Sequence, residues 1–171
     1  MTAKPWLRKL MLTAHVSSAV GSAGAVAVFL VLVVAALSAG NQDFVRAFTI
    51  AMDVAADYVI VPLVSAALLL GIIQSLITPW GLIRHYWIVF KLVLTAVTLA
   101  VLLPQTANIN RMAQAAQRLM DSADIFTVQL SLALHAGGGL AVLIGIVALS
   151  VYKPRGLTPY GWRVAGEGRG R

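Results

Sequence analysis

Residues 78–91 read TPWGLIRHYWIVFK, and this stretch decides the fold because it lies between two long apolar runs and holds the one turn signal in the middle of the chain. Thr78 precedes Pro79, and a proline pushes the residue before it out of the α region; Gly81 then lets the chain reverse. Trp80, Tyr86 and Trp87 are amphipathic rings suited to a lipid headgroup layer, and Arg84 among them suits its cytoplasmic side. The stretch is therefore expected to be a tight inner-face hairpin that joins two membrane-spanning helices and orients the rest.

Upstream, no Asp, Glu, Lys or Arg occurs between Lys9 and Asp43. A run that long exceeds the roughly 7–15-residue apolar region of a cleaved signal peptide. It predicts a retained, tilted span at residues 10–37, since about 20 apolar residues already cross a bilayer. Ala36-Leu37-Ser38-Ala39 resembles a processing site and leaves cleavage as the alternative. Asn41 or Asp43 can cap a second helix beginning near Phe44, with its span at 54–77 and a kink at Pro62.

Downstream of the hairpin, a third span at 86–103 ends at Pro104. Between 105 and 124, Ile109, Met112, Ala116 and Leu119 recur at helical spacing among Arg111, Gln114, Gln117 and Arg118. That pattern predicts a short amphipathic helix lying on the outer surface or across the bundle mouth. The fourth span, at 126–152, is closed by Lys153-Pro154. Residues 153–171 read as a basic, flexible tail with too little apolar content to fold.

Composition agrees with this layout. A chain of 171 residues that is 60% hydrophobic and 11% charged is too apolar for a soluble domain, where about a quarter of residues are charged. The net charge of +7 does not point to nucleic acid, because the basic residues gather at the ends of apolar runs. The absence of cysteine excludes disulfides, thiolate chemistry and Cys-ligated metal centres. With both termini inside, ten of the 13 basic residues face the cytoplasm; Arg46, Arg111 and Arg118 remain outside with five of the six acids. The expected protein is an all-α four-helix transmembrane bundle with both termini cytoplasmic and residues 1–152 as one membrane domain. It would be a multi-pass protein of the bacterial cytoplasmic membrane. Its partners would be the bilayer, anionic headgroups at the basic tail, and a second copy or a partner subunit.

Two small-residue stripes, Ser17/Gly21/Ala25 and Gly137/Ala141/Gly145, suit close approach of the first and fourth helices. Gly137-Gly138-Gly139 also suits room for a flat ligand or a loosened helix. The ionisable residues inside the membrane are the functional candidates, because each is costly to keep there. His15 and Lys91 each lie about five residues in from the cytoplasmic end, roughly 7–8 Å deep at about 1.5 Å per residue. Asp53 and Asp57, one turn apart, and His135 approach the outer layer, where Asp57 and His135 are expected to pair. Each has a purely structural role open to it. Lys91 can snorkel, His15 and His85 can serve as hydrogen-bonding or interfacial groups, and an Asp57–His135 contact can fix helix register. No H-E-x-x-H, Walker, Gly-x-Ser-x-Gly or EF-hand pattern is present.

The hairpin TPWGLxRHYW after two spans resembles an uncharacterised family of bacterial four-span integral membrane proteins, over roughly residues 10–103. More distantly, Thr13-Ala14-His15 on the first helix with Trp87 and Lys91-Leu92 on the third is similar to the haem-binding membrane protoporphyrinogen oxidases and the copper-resistance D membrane proteins. In the former family a first-helix His and a third-helix Lys are associated with haem b. The resemblance implies that His15 and Lys91 hold haem b here. The Trp-x-Gly-Gly that usually follows the first-helix His is Ser18-Ala19-Val20-Gly21, so the resemblance implies the haem site and not the oxidase activity. Arg84 at the hairpin would meet a haem propionate.

Three function classes emerge. One is a haem b redox protein using His15, Lys91 and Arg84. Another is a non-catalytic accessory or assembly subunit. The last is a cation or proton carrier using Asp53, Asp57 and His135, with Met52, Met112 and Met120 as soft outer ligands for copper.

Overall fold

A charge-free apolar run buried in hydrocarbon must satisfy its own N–H and C=O groups, and the helix does so within one segment. The computed structural model describes residues 4–78, 81–117, 122–154 and 156–167, with the side chains of 115–117, 122–125 and 165–167 excepted, and these are mostly helical with no strand among them. Trp80, Arg118, Leu119 and Met120 lie outside the described residues, as do Arg155, Arg169 and Arg171.

Helix α1 is Pro5–Ser38, with proline in its first turn, where the missing N–H costs nothing. Helix α2, Gln42–Ala55, is capped by Asn41, whose Oδ1 accepts from the Asp43 N–H at 2.8 Å. A π-helical turn at Ala56–Ile60 joins α2 to α3, Val61–Ile77. The cause is Pro62. It cannot donate to the carbonyl four residues back, and the chain widens so that the Val61 N–H reaches the Ala56 carbonyl. Helix α4 is Tyr86–Gln117, α5 is Ser122–Tyr152 and α6 is Pro159–Glu167. Among the described residues four helical stretches are long and apolar enough to span a membrane: Pro5–Ser38, Gln42–Ile77, Tyr86–Gln114 and Phe126–Tyr152. The chain is an all-α, multi-pass integral membrane protein, and the start of α1, the close of α5 and the hairpin share one end of the bundle, here the basic end.

Three expectations are corrected. The amphipathic helix at 105–124 is not a separate surface element, because α4 runs unbroken through Pro104 to Gln117. Its apolar face has the right period but a different partner: Ile109 and Met112 are buried in one core cluster with Met52 and Ala56. The tail is not structureless, since α6 forms and docks on the hairpin. Thr158 starts that helix: its hydroxyl accepts from the Gly161 N–H at 3.1 Å and donates to the Ile83 carbonyl at 2.6 Å. Its own N–H reaches the Arg84 carbonyl at 3.0 Å. A Cβ at Gly161 would run into that same carbonyl, so only glycine permits the approach.

Nor do the two small-residue stripes meet. A Cβ at Gly21 would touch Leu63 on α3 at 3.5 Å, while Gly137 and Gly145 face open space. Helices α1 and α5 do make the most extensive contact in the bundle. They bury larger residues in it, with Val26, Phe29 and Val33 joining Leu132, Ala136 and Leu143 in the core.

Candidate functional site

At the basic end α1, α3, α4 and α5 splay around an open cleft of about 660 Å³. His15 enters from α1 and Lys91 from α4, so the two ionisable residues of matching depth do line one cavity. Gly71 on α3 makes room for the imidazole: a Cβ there would stand 3.0 Å from His15 Cε1. The His15 ring thus rests on bare α3 backbone near the Ala67 carbonyl. Its Nδ1 is buried with no hydrogen-bond partner.

Lys91 does not snorkel out to the headgroups. Its Nζ donates to Ser150 Oγ on α5 at 3.0 Å and sits 5.0 Å from the centre of the Trp87 ring. Ser150 directs its own proton to the Ile146 carbonyl at 2.9 Å. An ammonium over an indole face is a favourable cation–π arrangement, worth about 0.5–2 kcal/mol depending on exposure.

Three further cations line the same cleft: Arg8 and Lys9 from α1, and Lys153 just past α5. Lys153 closes that helix in the left-handed region (φ 42°), a conformation costing a non-glycine residue of the order of 1 kcal/mol. Among the described residues no Asp or Glu lines the cleft. Gln74 adds a second buried atom without a partner, Oε1, on the cleft wall. A buried polar group left unsatisfied costs about 1–3 kcal/mol. The cleft therefore gathers positive charge and unused hydrogen-bonding capacity against apolar walls. Sequence reasoning missed Arg8, Lys9, Lys153 and Gln74 as site residues. The first three carry a topology signal that masks any other role, although a basic residue one or two turns before His15 on the same helix is itself a pointer.

Arg84 is not among the residues lining the cleft. Its stem packs on Gly81, whose φ of 64° requires glycine, and its carbonyl anchors Thr158.

The opposite end does not assemble the expected Asp/His group. Asp57 Oδ2 accepts from Asn110 Nδ2 on α4 at 3.5 Å. His135 is exposed, and its Nδ1–H donates to the Ser131 carbonyl of its own helix at 2.7 Å. The π turn explains the miss, since one extra residue rotates the rest of the helix by about 100° about its axis. Met52 and Met112 are fully packed in the core and present no sulfur to an outer cation. Among the described residues no three His, Cys, Asp or Glu side chains are grouped to hold a metal. Asp53 Oδ1 and Gln129 Nε2 are buried without partners at this end, away from the cleft.

Fold and cleft together define a multi-pass membrane bundle with a cation-lined cavity open at one end. No protein-family model matches the chain, and neither does any curated protein or solved structure.

Proposed function

We propose that this protein binds an anionic amphiphile in the basic-end cleft, with the charged head among Lys91, Lys153, Arg8 and Lys9 and the apolar body against the helices. The observation that carries this reading is a cavity lined, among the described residues, by four cations and no carboxylate. Like charges gathered at low dielectric repel one another, and an anion between them removes the cost. The basic end faces the cytoplasm in this reading, so a reporter fused at residue 160 reads inside and one at residue 40 outside. Dodecyl phosphate should bind the detergent-solubilised protein where dodecanol does not. The Lys91→Gln/Lys153→Gln double variant should weaken that binding about tenfold, roughly 1.4 kcal/mol. Equal binding of the charged and uncharged probes would overturn the reading.

A second reading, haem b, is favoured by the unpartnered Nδ1 of His15 beside Lys91 in one cavity. The donor set fits the group, with two nitrogens from different helices and Arg8, Lys9 and Lys153 for propionates. Bound haem would supply one-electron chemistry. The chain's part would be to exclude water, hold the propionates and present His15 and Lys91. Lysine ligates iron only as the neutral amine, whereas Lys91 over Trp87 has the posture of an ammonium. That ranks haem second. A visible spectrum of the purified protein separates the two. Haem gives a Soret band lost in both His15→Ala and Lys91→Ala and kept in His135→Ala; a colourless protein leaves the anionic amphiphile alone.

A further inference from the structure

The cleft sorts its polar groups by wall. On the α4 and α5 side they donate: Lys91 Nζ gives a proton to Ser150 Oγ, and Lys153 adds a second ammonium just past α5. The α3 side carries no charge and accepts. Gln74 Oε1 is buried on that wall without a partner, and an amide oxygen only accepts. Ser75, next to it, gives its proton to the Gly71 carbonyl at 2.8 Å, so its Oγ offers the cleft lone pairs alone. His15 Nδ1, against Gly71, is unpartnered too. With the ring proton on Nε2, toward the Ala67 carbonyl, it is a third acceptor.

A bare anion answers the cations and leaves this wall as it was, because its oxygens bring lone pairs to lone pairs. The missing partner is a donor. An ammonium is the wrong one, since the described lining holds four cations and no carboxylate. A hydroxyl donates without adding charge. Depth limits how far from the anion that hydroxyl stands. Gln74 lies three residues before the end of α3 and Lys91 five residues after the start of α4, and the hairpin joins those two ends. At about 1.5 Å per residue the two differ in depth by roughly 3 Å. A hydroxyl a few bonds from the phosphorus matches that offset.

We infer that the occupant is an anionic phospholipid whose phosphodiester carries an uncharged polyol, glycerol being the smallest, with the phosphate among the cations and a hydroxyl donating to Gln74 Oε1. This rests on the proposed anionic head among Lys91, Lys153, Arg8 and Lys9. It adds a head-group selectivity that charge alone does not give.

The test compares phosphatidylglycerol with phosphatidylmethanol of identical acyl chains on the full-length protein in detergent, read by native mass spectrometry. Both are singly charged diesters, and only the first has head-group hydroxyls. Phosphatidylglycerol should bind about fivefold tighter, roughly 1 kcal/mol. In Gln74→Leu the ratio of the two affinities should fall to about one. Phosphatidylethanolamine, whose ammonium meets the cations, should bind about tenfold more weakly than phosphatidylmethanol. Equal wild-type affinity for the two anionic lipids, or a preference that survives in Gln74→Leu, would overturn the inference while leaving the cleft reading intact. Failure of both to bind, or phosphatidylethanolamine binding as well as they do, would overturn the cleft reading itself.

Discussion

The two ends of this bundle differ in what surrounds the polar groups they leave without a partner. At the end away from the hairpin, Asp57 finds Asn110, His135 finds its own helix's carbonyl, and Met52 and Met112 fill the core. At the basic end His15 Nδ1 and Gln74 Oε1 find nothing, and cations from α1 and α4 and from just past α5 line one open cavity with no acid among its described residues. The cost of a polar atom in an apolar setting is the same at both ends. Each end leaves two buried polar atoms unpaired, Asp53 Oδ1 and Gln129 Nε2 at one and His15 Nδ1 and Gln74 Oε1 at the other, but only the second two stand on the wall of the cation-lined cleft. A functional site is recognised here by what the fold has left unpaired around a cavity, and the mere presence of ionisable residues does not mark one.

The contrast breaks most visibly on two glycines. Gly71→Leu drives a branched side chain into the His15 ring, so it should cost about 1–3 kcal/mol and abolish ligand binding. Gly145→Leu enters open space and should change stability by no more than about 0.5 kcal/mol. Thermal unfolding in detergent with a dodecyl phosphate titration reads both. Similar losses in the two variants would mean the ends do not differ as described.

Next in size is a change of sign. Lys91→Met removes a cation from a cluster with no counter-charge, so the ligand-free protein should gain roughly 1 kcal/mol while binding falls. Asp57→Asn at the other end keeps a partner for Asn110 and should lose no more than about 1 kcal/mol, with binding unchanged. A Lys91→Met protein both less stable and still binding would contradict the assignment of Lys91.

Legibility in the sequence divides along the same line. The four spans and the hairpin are legible, because charge-free runs and a Thr-Pro-x-Gly turn report on local physics. So is the shared depth of His15 and Lys91, which needs only the rise per residue. Rotation about each helix axis is not. Depth does not say which face Asp57 presents, and the π turn forced by Pro62 resets that face within one turn. Pro104 has the local signature of a stop, yet α4 continues because its next two turns find α2 to pack against. The order of α6 depends on a carbonyl at Arg84, 74 residues from Thr158, which no local composition reveals.

The smallest expected effect concerns that docked helix, which sits at the basic end and outside the cleft. Thr158→Val removes the cap and the link to Ile83, costing about 1 kcal/mol and confined to α6. Hydrogen exchange should quicken across Pro159–Glu167 and stay unchanged at residues 26–33 in α1. Faster exchange in both would show that α6 is part of the bundle's global stability.

The central claim is that the basic-end cleft is completed by an anionic amphiphile. The most direct measurement is the native mass spectrum of the wild-type protein and of Lys91→Gln/Lys153→Gln, each purified gently from membranes. The wild type should carry one anionic amphiphile adduct that the double variant lacks. A wild-type spectrum without adduct, or the same adduct in both proteins, would contradict it.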